Sequence, residues 1–139
     1  MPKNITIDLN VIIDVLLERK GFEYSRKVLE LSESGNHRLY ISAHMVTTFA
    51  YILEAAKVPR SEIIHHIDWL LQTFLIVPVD KTLLKIALKS QLKDYEDAVV
   101  EQAAIICNAS TIVTRNVKDF KASSLMVFEP EGYLKELKI

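Results

Sequence analysis

Five short apolar runs, separated by stretches with helical periodicity, constrain the fold of this sequence more than any other feature. Each run is four or five residues long, which is short for a helix but typical of a buried strand. The intervening stretches are long enough to hold the crossover helix that parallel neighbours require. We therefore predict an α/β fold, a three-layer α/β/α sandwich around a central, mainly parallel sheet. The predicted strands are residues 5–8, 37–41, 75–79, 111–114 and 125–128.

The helices are predicted from apolar positions at helical spacing and from the residues that precede them. Asn10, Ser42 and Asp94 stand where side-chain caps are expected, and Pro130 suits the first turn of a last helix. Because the run at 75–79 contains a proline, it is predicted to be an edge or terminal strand. The other predicted helices are residues 11–17, 23–34, 43–57, 61–74, 81–92 and 95–107.

Composition narrows the class of protein further. Seventeen basic and eighteen acidic residues give a net charge of −1, which argues against a strongly basic protein that coats nucleic acid. A chain of 139 residues is expected to form one domain. The single cysteine, Cys107, has no partner for an intramolecular disulfide, and this fits a reducing cytoplasm. No apolar stretch approaches the roughly 18 residues of a membrane span, so we expect neither a membrane segment nor a signal peptide.

Three aspartates are placed where the topology can bring them together. Asp8 ends the first strand, Asp119 follows the fourth, and Asp97 lies in the first turn of the helix between the third and fourth. Parallel sheets bind ligands outside the carboxyl ends of their strands. Clustered carboxylates repel one another unless a cation is present, and Mg²⁺ and Mn²⁺ favour oxygen ligands. We therefore predict that these aspartates hold a divalent ion for phosphodiester hydrolysis, and that the Asn116 carbonyl orients a water or a phosphate.

The three acidic segments also have a recognisable order. They are residues 7–14 (IDLNVIID), 94–100 (DYEDAVV) and 112–120 (IVTRNVKDF). Together they resemble the three acidic motifs of the PIN-domain ribonucleases, the fold of the VapC toxins of bacterial and archaeal toxin–antitoxin pairs. The resemblance covers nearly the whole chain and implies a single PIN-like domain over residues 1–139. It further implies Mg²⁺- or Mn²⁺-dependent cleavage of RNA, a homodimer and often an antitoxin partner.

One position departs from the family pattern and keeps other functions open. Family members usually carry a glutamate early in the helix after the second strand, and the matching position here is Thr48. Glu54 is no obvious replacement, because six helical residues rotate it by roughly 240°. A second interpretation is therefore a catalytically weak PIN-like module that binds RNA or a protein. A third, a haloacid-dehalogenase-type phosphatase with Asp8 as nucleophile, requires a second aspartate two residues on, where this chain has Asn10.

Other polar residues have structural interpretations. Asp94 is predicted to cap its helix rather than to bind a metal ion. Asp14 and Glu101 are predicted either to lie on helix surfaces or to contact the residues that form the site. All four histidines are predicted to be structural or exposed, and the adjacent His65 and His66 point about 100° apart on a helix, so they cannot chelate one ion.

Overall fold

The computed structural model describes residues 1–138, and its five strands form one sheet in which every neighbouring pair is parallel. The strands are β1 (Lys3–Ile7), β2 (His37–Ser42), β3 (Leu75–Val77), β4 (Thr111–Val113) and β5 (Met126–Phe128). Their spatial order is β3-β2-β1-β4-β5. The proline-containing run thus supplies an edge strand, as predicted, and the prediction of a parallel α/β sheet is confirmed.

The helices alternate with these strands and complete the three-layer α/β/α sandwich that the sequence predicts. Short 3₁₀ helices add Leu31–Glu33 before β2 and Val117–Phe120 after β4. The α-helices are α1 (Leu9–Leu16), α2 (Phe22–Glu30), α3 (Ala43–Ala55), α4 (Arg60–Thr73), α5 (Lys81–Ala87), α6 (Tyr95–Ile106) and α7 (Pro130–Glu136).

Strand β1 lies at the centre of the sheet, and its side chains form part of the hydrophobic core. Ile5 pairs with Leu39 of β2 on one side and with Thr111 of β4 on the other. Ile5 and Ile7 are fully buried, as expected for a parallel strand covered on both faces. Because β1 and β4 are neighbours, the residues that follow them meet at one edge of the sheet.

The start of α1 differs from the sequence prediction. Asp8, not Asn10, is the N-cap, since its Oδ1 accepts a hydrogen bond from the Leu9 backbone N–H at 2.9 Å. Ser42 does occupy the N-cap position of α3, but its hydroxyl is bonded to the His44 ring rather than to a helix N–H. The Asp94 cap of α6 is confirmed, because its Oδ1 accepts from the Asp97 N–H at 3.1 Å.

The apolar face of α4 is narrower than its sequence suggests. Ile63 and Leu70 are buried, and Phe74 is buried just beyond the helix end. Ile64 and Leu71, which also fall at helical spacing with these residues, are 53% and 51% exposed. Helix α5 is also shorter than predicted, and Leu92 is instead buried in the loop that leads to α6.

Among residues 1–138, no helix combines the length and the apolar character that crossing a membrane requires.

Candidate active site

Asp8 lies directly after the central strand, and hydrogen bonds hold both of its carboxylate oxygens. Its Oδ1 caps α1, while its Oδ2 accepts from the Thr114 hydroxyl at 2.8 Å and from Asn10 Nδ2 at 3.3 Å. Thr114 follows β4, the strand next to β1 in the sheet. The start of α1 and the residue that follows β4 therefore fix the orientation of the Asp8 carboxylate.

Asn10 and Thr114 form the frame of the site. The Asn10 side-chain carbonyl accepts from the Arg115 backbone N–H at 3.1 Å, and the Thr114 hydroxyl oxygen accepts from the Asn116 N–H at 3.0 Å. These bonds join the start of α1 to the loop after β4. They hold Asn116 where its exposed side chain lines the same cavity as Asp8.

Two adjacent cavities meet at Asp97. The first, of about 280 Å³, is lined by Asp8, Asp97, Asn116 and Thr48, among others. The second, of about 360 Å³, is lined by Asp97 and by Asp119, which lies exposed in the 3₁₀ helix after β4. The structure thus brings Asp8 and Asp97 to one cavity, and Asp97 and Asp119 to the other. Asp97 is the aspartate that the two cavities share.

The electrostatic environment of Asp97 is unfavourable to its charged form. Desolvation by burial is the largest cause, and together with the nearby carboxylates of Asp94, Asp8, Asp119 and Glu96 it raises the pKa of Asp97 from 3.8 to about 7. These neighbouring acids repel a negative charge on Asp97, and a bound positive ion would reduce that repulsion.

Asp8 is shifted in the same direction. Burial raises the pKa of Asp8, and the Glu96 carboxylate adds to that effect, whereas the bonds from Thr114 and Leu9 and the nearby His44 ring oppose it. Burial also lowers the pKa of His44, although the Asp8 charge opposes this. His44, predicted to be structural or exposed, is half-buried and close enough to Asp8 to interact with it electrostatically.

The donor set around the first cavity determines which ions the site can hold. Within residues 1–138, no three His, Cys, Asp or Glu side chains are grouped so that together they could hold a metal ion. Carboxylate, amide and hydroxyl oxygens nevertheless surround this cavity. Mg²⁺ keeps several waters and is commonly bound through only one or two carboxylates together with substrate phosphates. The residues present therefore fit a hydrated divalent ion, and Asp8 and Asp97 are the carboxylates that could hold it.

Thr48, where the family pattern has glutamate, does lie in the first cavity with Asp8 and Asp97. It is half-buried, and its hydroxyl donates to the His44 carbonyl one turn earlier at 3.1 Å. Glu96 lines the same cavity from α6. Sequence reasoning did not consider Glu96, although its place beside Asp97 in the first turn of α6 was a usable signal.

Two acids that were predicted to be surface or supporting groups are buried. Glu101 is 6% exposed and accepts a hydrogen bond from the Ser90 hydroxyl. Asp14 is 4% exposed and faces two arginines, Arg115 and Arg19. Arg19 also lines the first cavity, and no sequence signal singled it out. Of the two roles predicted for Asp14, the helix-surface role is wrong, because Arg115 of the loop after β4 covers that side of α1, and the supporting role stays a prediction.

The fold resembles that of several solved structures. It is similar to VapBC2 from Rickettsia felis bound to a promoter DNA fragment (TM-score 0.69, 18% identity, 91% of this chain and 97% of that chain). It is also similar to FitAcB from Neisseria gonorrhoeae (0.68, 22%, 91% and 98%) and to PAE2754 from Pyrobaculum aerophilum (0.64, 13%, 99% and 97%). At these identities the likeness establishes the fold.

No curated protein matches the chain in sequence. The PIN domain family model, however, matches residues 4–118, a segment that contains Asp8, Asp97 and Asn116. The match agrees with the fold and contains the first two acidic segments, while Asp119 lies one residue beyond its end. The chain therefore belongs to the PIN domain family, a family of nucleases that generally use divalent metal ions.

Proposed function

We propose that this chain is an Mg²⁺- or Mn²⁺-dependent endoribonuclease that hydrolyses RNA phosphodiester bonds. The observation that carries this proposal is Asp97, which shares one cavity with Asp8 and another with Asp119 and has its pKa raised to about 7. An acid placed among acids at the carboxyl edge of a parallel sheet is costly for a structure. A bound cation would offset that cost, because it attracts each of the carboxylates.

Each residue of the first cavity has a distinct task in this proposal. Asp8 and Asp97 hold the ion directly, and Asp119 contributes from the second cavity to the negative field that attracts it. When bound, a divalent ion neutralises phosphate charge and supplies a water of lowered pKa. Asn116 offers an uncharged donor and acceptor beside Asp8, which suits it to orienting a water or a phosphate oxygen.

Glu96 supplies an acid to the cavity in which Thr48 stands in place of the family's usual glutamate. The first cavity contains Glu96 in addition to Asp8 and Asp97, and although these three acids are not grouped so as to hold one ion together, Glu96 adds negative charge that attracts a cation. The carboxylate comes from α6 rather than from α3. This supports activity in a chain that lacks the acid at the usual position.

Basic residues around Asp97 support RNA as the substrate. Lys93, Lys118 and Lys121 line the second cavity, and Arg19 lines the first. Phosphates on either side of a bond positioned at Asp97 would meet a cation in each direction, and such contacts favour a polyanion without reading its sequence. We therefore propose RNA as the substrate and the cytoplasm as the place where the protein acts.

We further propose that the chain is the toxin of a toxin–antitoxin pair and forms a homodimer. A toxin–antitoxin complex from Klebsiella pneumoniae also has a similar fold (TM-score 0.66, 22% identity, 91% of this chain and 97% of that chain). On this chain a cavity of about 320 Å³, lined by Phe49 and Trp69 among others, opens between α1, α3 and α4. Tyr51 and Ile64 lie exposed on α3 and α4, at 70% and 53%. Exposed apolar surface of this kind supports a protein partner.

The alternative function is a PIN-like module that binds RNA or a protein without cutting RNA efficiently. Thr48 is the observation that favours it, because a threonine hydroxyl brings no charge to the metal site.

One comparison separates these two functions. The wild type, Thr48→Glu and Thr47→Glu are incubated with a panel of single-stranded and structured RNAs in Mg²⁺, in Mn²⁺ and in EDTA. Thr47 is the matched control, since it is the exposed neighbour on the same helix and its hydroxyl bonds the same His44 carbonyl. We expect wild-type cleavage with either ion and none in EDTA. Thr48→Glu should raise Mn²⁺ affinity about tenfold, because it adds an anionic oxygen in the cavity, whereas Thr47→Glu should change it little.

An inert wild type, together with cleavage by Thr48→Glu, would contradict the nuclease proposal. The natural protein would then be a binding module on a nuclease scaffold.

A further inference from the structure

Asp14 is a buried carboxylate between two arginines on the side of α1 next to the candidate active site. Its side chain is 5% exposed, and its Oδ2 lies 3.3 Å from Arg115 Nε while its Oδ1 lies 3.9 Å from Arg19 Nη1. Within residues 1–138, Oδ2 has no hydrogen bond of good geometry. Burying a carboxylate is costly unless it is paired. The two arginines supply that pairing, and their roles differ.

Arg115 has a structural role in this group. Its guanidinium packs on the turn before α2, where an Nη2–H donates to the Lys20 carbonyl at 3.4 Å. Gly21, with φ of +86°, leaves room for it, because a Cβ there would lie 3.0 Å from Arg115 Nη1. Arg115 therefore ties the loop after β4 to the end of α1.

Arg19 has no comparable structural role. Its side chain is 54% exposed and its Nη1 lies 3.9 Å from Asp14 Oδ1, and an ion pair this long with an exposed partner contributes little to stability. It is, however, the one basic residue that lines the first cavity among the described residues, together with Asp8, Asp97 and Asn116.

Backbone hydrogen bonding fixes the position from which the Arg19 side chain extends. The N–H of Arg19 donates to the Asp14 carbonyl at 3.0 Å, and Glu18 before it adopts a left-handed conformation with φ of 48°. This is the hydrogen-bond pattern that reverses the chain at a helix end. It returns Arg19 alongside Asp14, so the end of α1 and the buried carboxylate both direct the guanidinium to one side of the cavity.

We propose that Arg19 binds a phosphate of a single-stranded RNA substrate beside the candidate active site, and that buried Asp14 is a positioning residue that holds Arg19 there. A guanidinium presents paired N–H donors that match phosphate oxygens in a bidentate manner. A single strand fits because its phosphates can follow the cavity edge from Arg19 across Asp97. This inference rests on the proposed function for its substrate.

Affinity for RNA tests the inference independently of cleavage. All variants are made in an Asp8→Asn background so that the RNA is bound but not cut, and a fluorescently labelled single-stranded RNA is titrated in Mg²⁺ buffer. Arg19→Gln should weaken binding about tenfold, the effect of losing one charge-assisted contact. The matched control is Arg26→Gln on α2, which removes the same charge from an equally exposed side chain and should change the affinity less than twofold.

The positioning role of Asp14 is tested by a double-mutant cycle. Asp14→Asn should weaken RNA binding nearly as much as Arg19→Gln, and the double variant should bind no more weakly than Arg19→Gln alone, because both changes remove one interaction. Arg19→Lys should recover part of the affinity when Asp14 is present and none in Asp14→Asn. A merely structural Asp14 would lower the melting temperature but leave these affinity ratios multiplicative.

Three outcomes would overturn the inference. They are an equal loss for Arg19→Gln and Arg26→Gln, independent effects of Asp14 and Arg19, and no RNA binding by the background protein. The proposed function fails separately. If the wild type binds RNA with the expected dependence on Arg19 but never cuts it, only the nuclease proposal is contradicted, whereas a wild type that cuts RNA and does not depend on Arg19 contradicts only this inference.

Discussion

At the scale of single residues, Asp97 concentrates the electrostatic cost of the site. Burial and four neighbouring carboxylates together raise its pKa from 3.8 to about 7. Above pH 7 the folded, metal-free protein must hold a charge that its surroundings disfavour. The same surroundings make the charge useful once a cation is bound.

This cost predicts how Asp97→Asn changes stability with pH in EDTA. Because the folded pKa is raised, the folded protein loses stability relative to the unfolded chain as pH rises from about 4 to about 7. The variant lacks that loss, so its melting temperature relative to wild type should be lowest near pH 4, increase up to pH 7 and then level off. Weakened helix-dipole contact subtracts at most about 1 kcal/mol.

Thermal melts in EDTA between pH 4 and 8 measure this difference, with Asp68→Asn on the exposed face of α4 as control. The control should show no such pH trend. If Asp97→Asn instead loses much stability at pH 7, Asp97 has a structural role rather than a ligand role.

The residues found from sequence and the residues missed differ in a physical way. Asp8, Asp97 and Asn116 were identifiable because each follows a strand or opens a helix, and topology alone places such positions at one edge. Asp14 was named only as a helix-surface or supporting acid and Arg19 was not singled out, because burial of Asp14 depends on Arg115, which is about 100 residues away in sequence. A single sequence does not reveal such a contact.

At the scale of elements, several helices are followed by a residue other than glycine in the left-handed conformation. Glu18, Lys57 and Asn108 follow α1, α3 and α6, and each adopts a left-handed conformation with φ between 48° and 60°. The residue after each one donates its N–H back across the last turn, as at Arg19, Val58 and Ala109. Only Asn among these three residue types tolerates this conformation readily.

We therefore expect glycine to stabilise two of these helix ends. Glu18→Gly and Lys57→Gly should each add about 0.5–1 kcal/mol of unfolding free energy, the relief of left-handed strain less the entropy of glycine. That corresponds to an increase of roughly 2–4 °C in Tm. Asn108→Gly is the matched control and should change Tm less. Calorimetry checks this, and a lower Tm for both Glu18→Gly and Lys57→Gly would show that these turns are not strained.

The start of α1 shows why helix boundaries were harder to predict than helices. Asp8 and Asn10 are both good capping residues, and the local sequence does not choose between them. The tertiary structure does, because Thr114 and Arg115 engage the Asn10 side chain. In the same way, the periodicity of α4 does not distinguish Ile63, which is buried, from Ile64, which is exposed.

At the scale of the whole molecule, sheet order creates the site. With β1 between β2 and β4, the chain places Asp8 beside Thr114, and α6 then delivers Asp97 to the same edge. The alternation of apolar runs predicted a parallel sheet, but the order of its strands came only with the structure. The assignment of residues 1–139 to one domain stays a prediction.

The most direct test of this account is the rate at which wild type and Asp8→Asn cleave one RNA under single-turnover conditions in Mg²⁺, with Asp68→Asn as control. Asparagine keeps the oxygen that caps α1, although its Nδ2 cannot accept the bond that Asp8 Oδ2 receives from Asn10, so a thermal melt is recorded to show that the variant is folded at the assay temperature. The account predicts a rate reduced by about a hundredfold or more, because several kcal/mol of charge stabilisation depend on the ion that Asp8 holds. Asp68→Asn should cleave at the wild-type rate. Cleavage by folded Asp8→Asn at the wild-type rate would contradict the assignment of the reaction to this site.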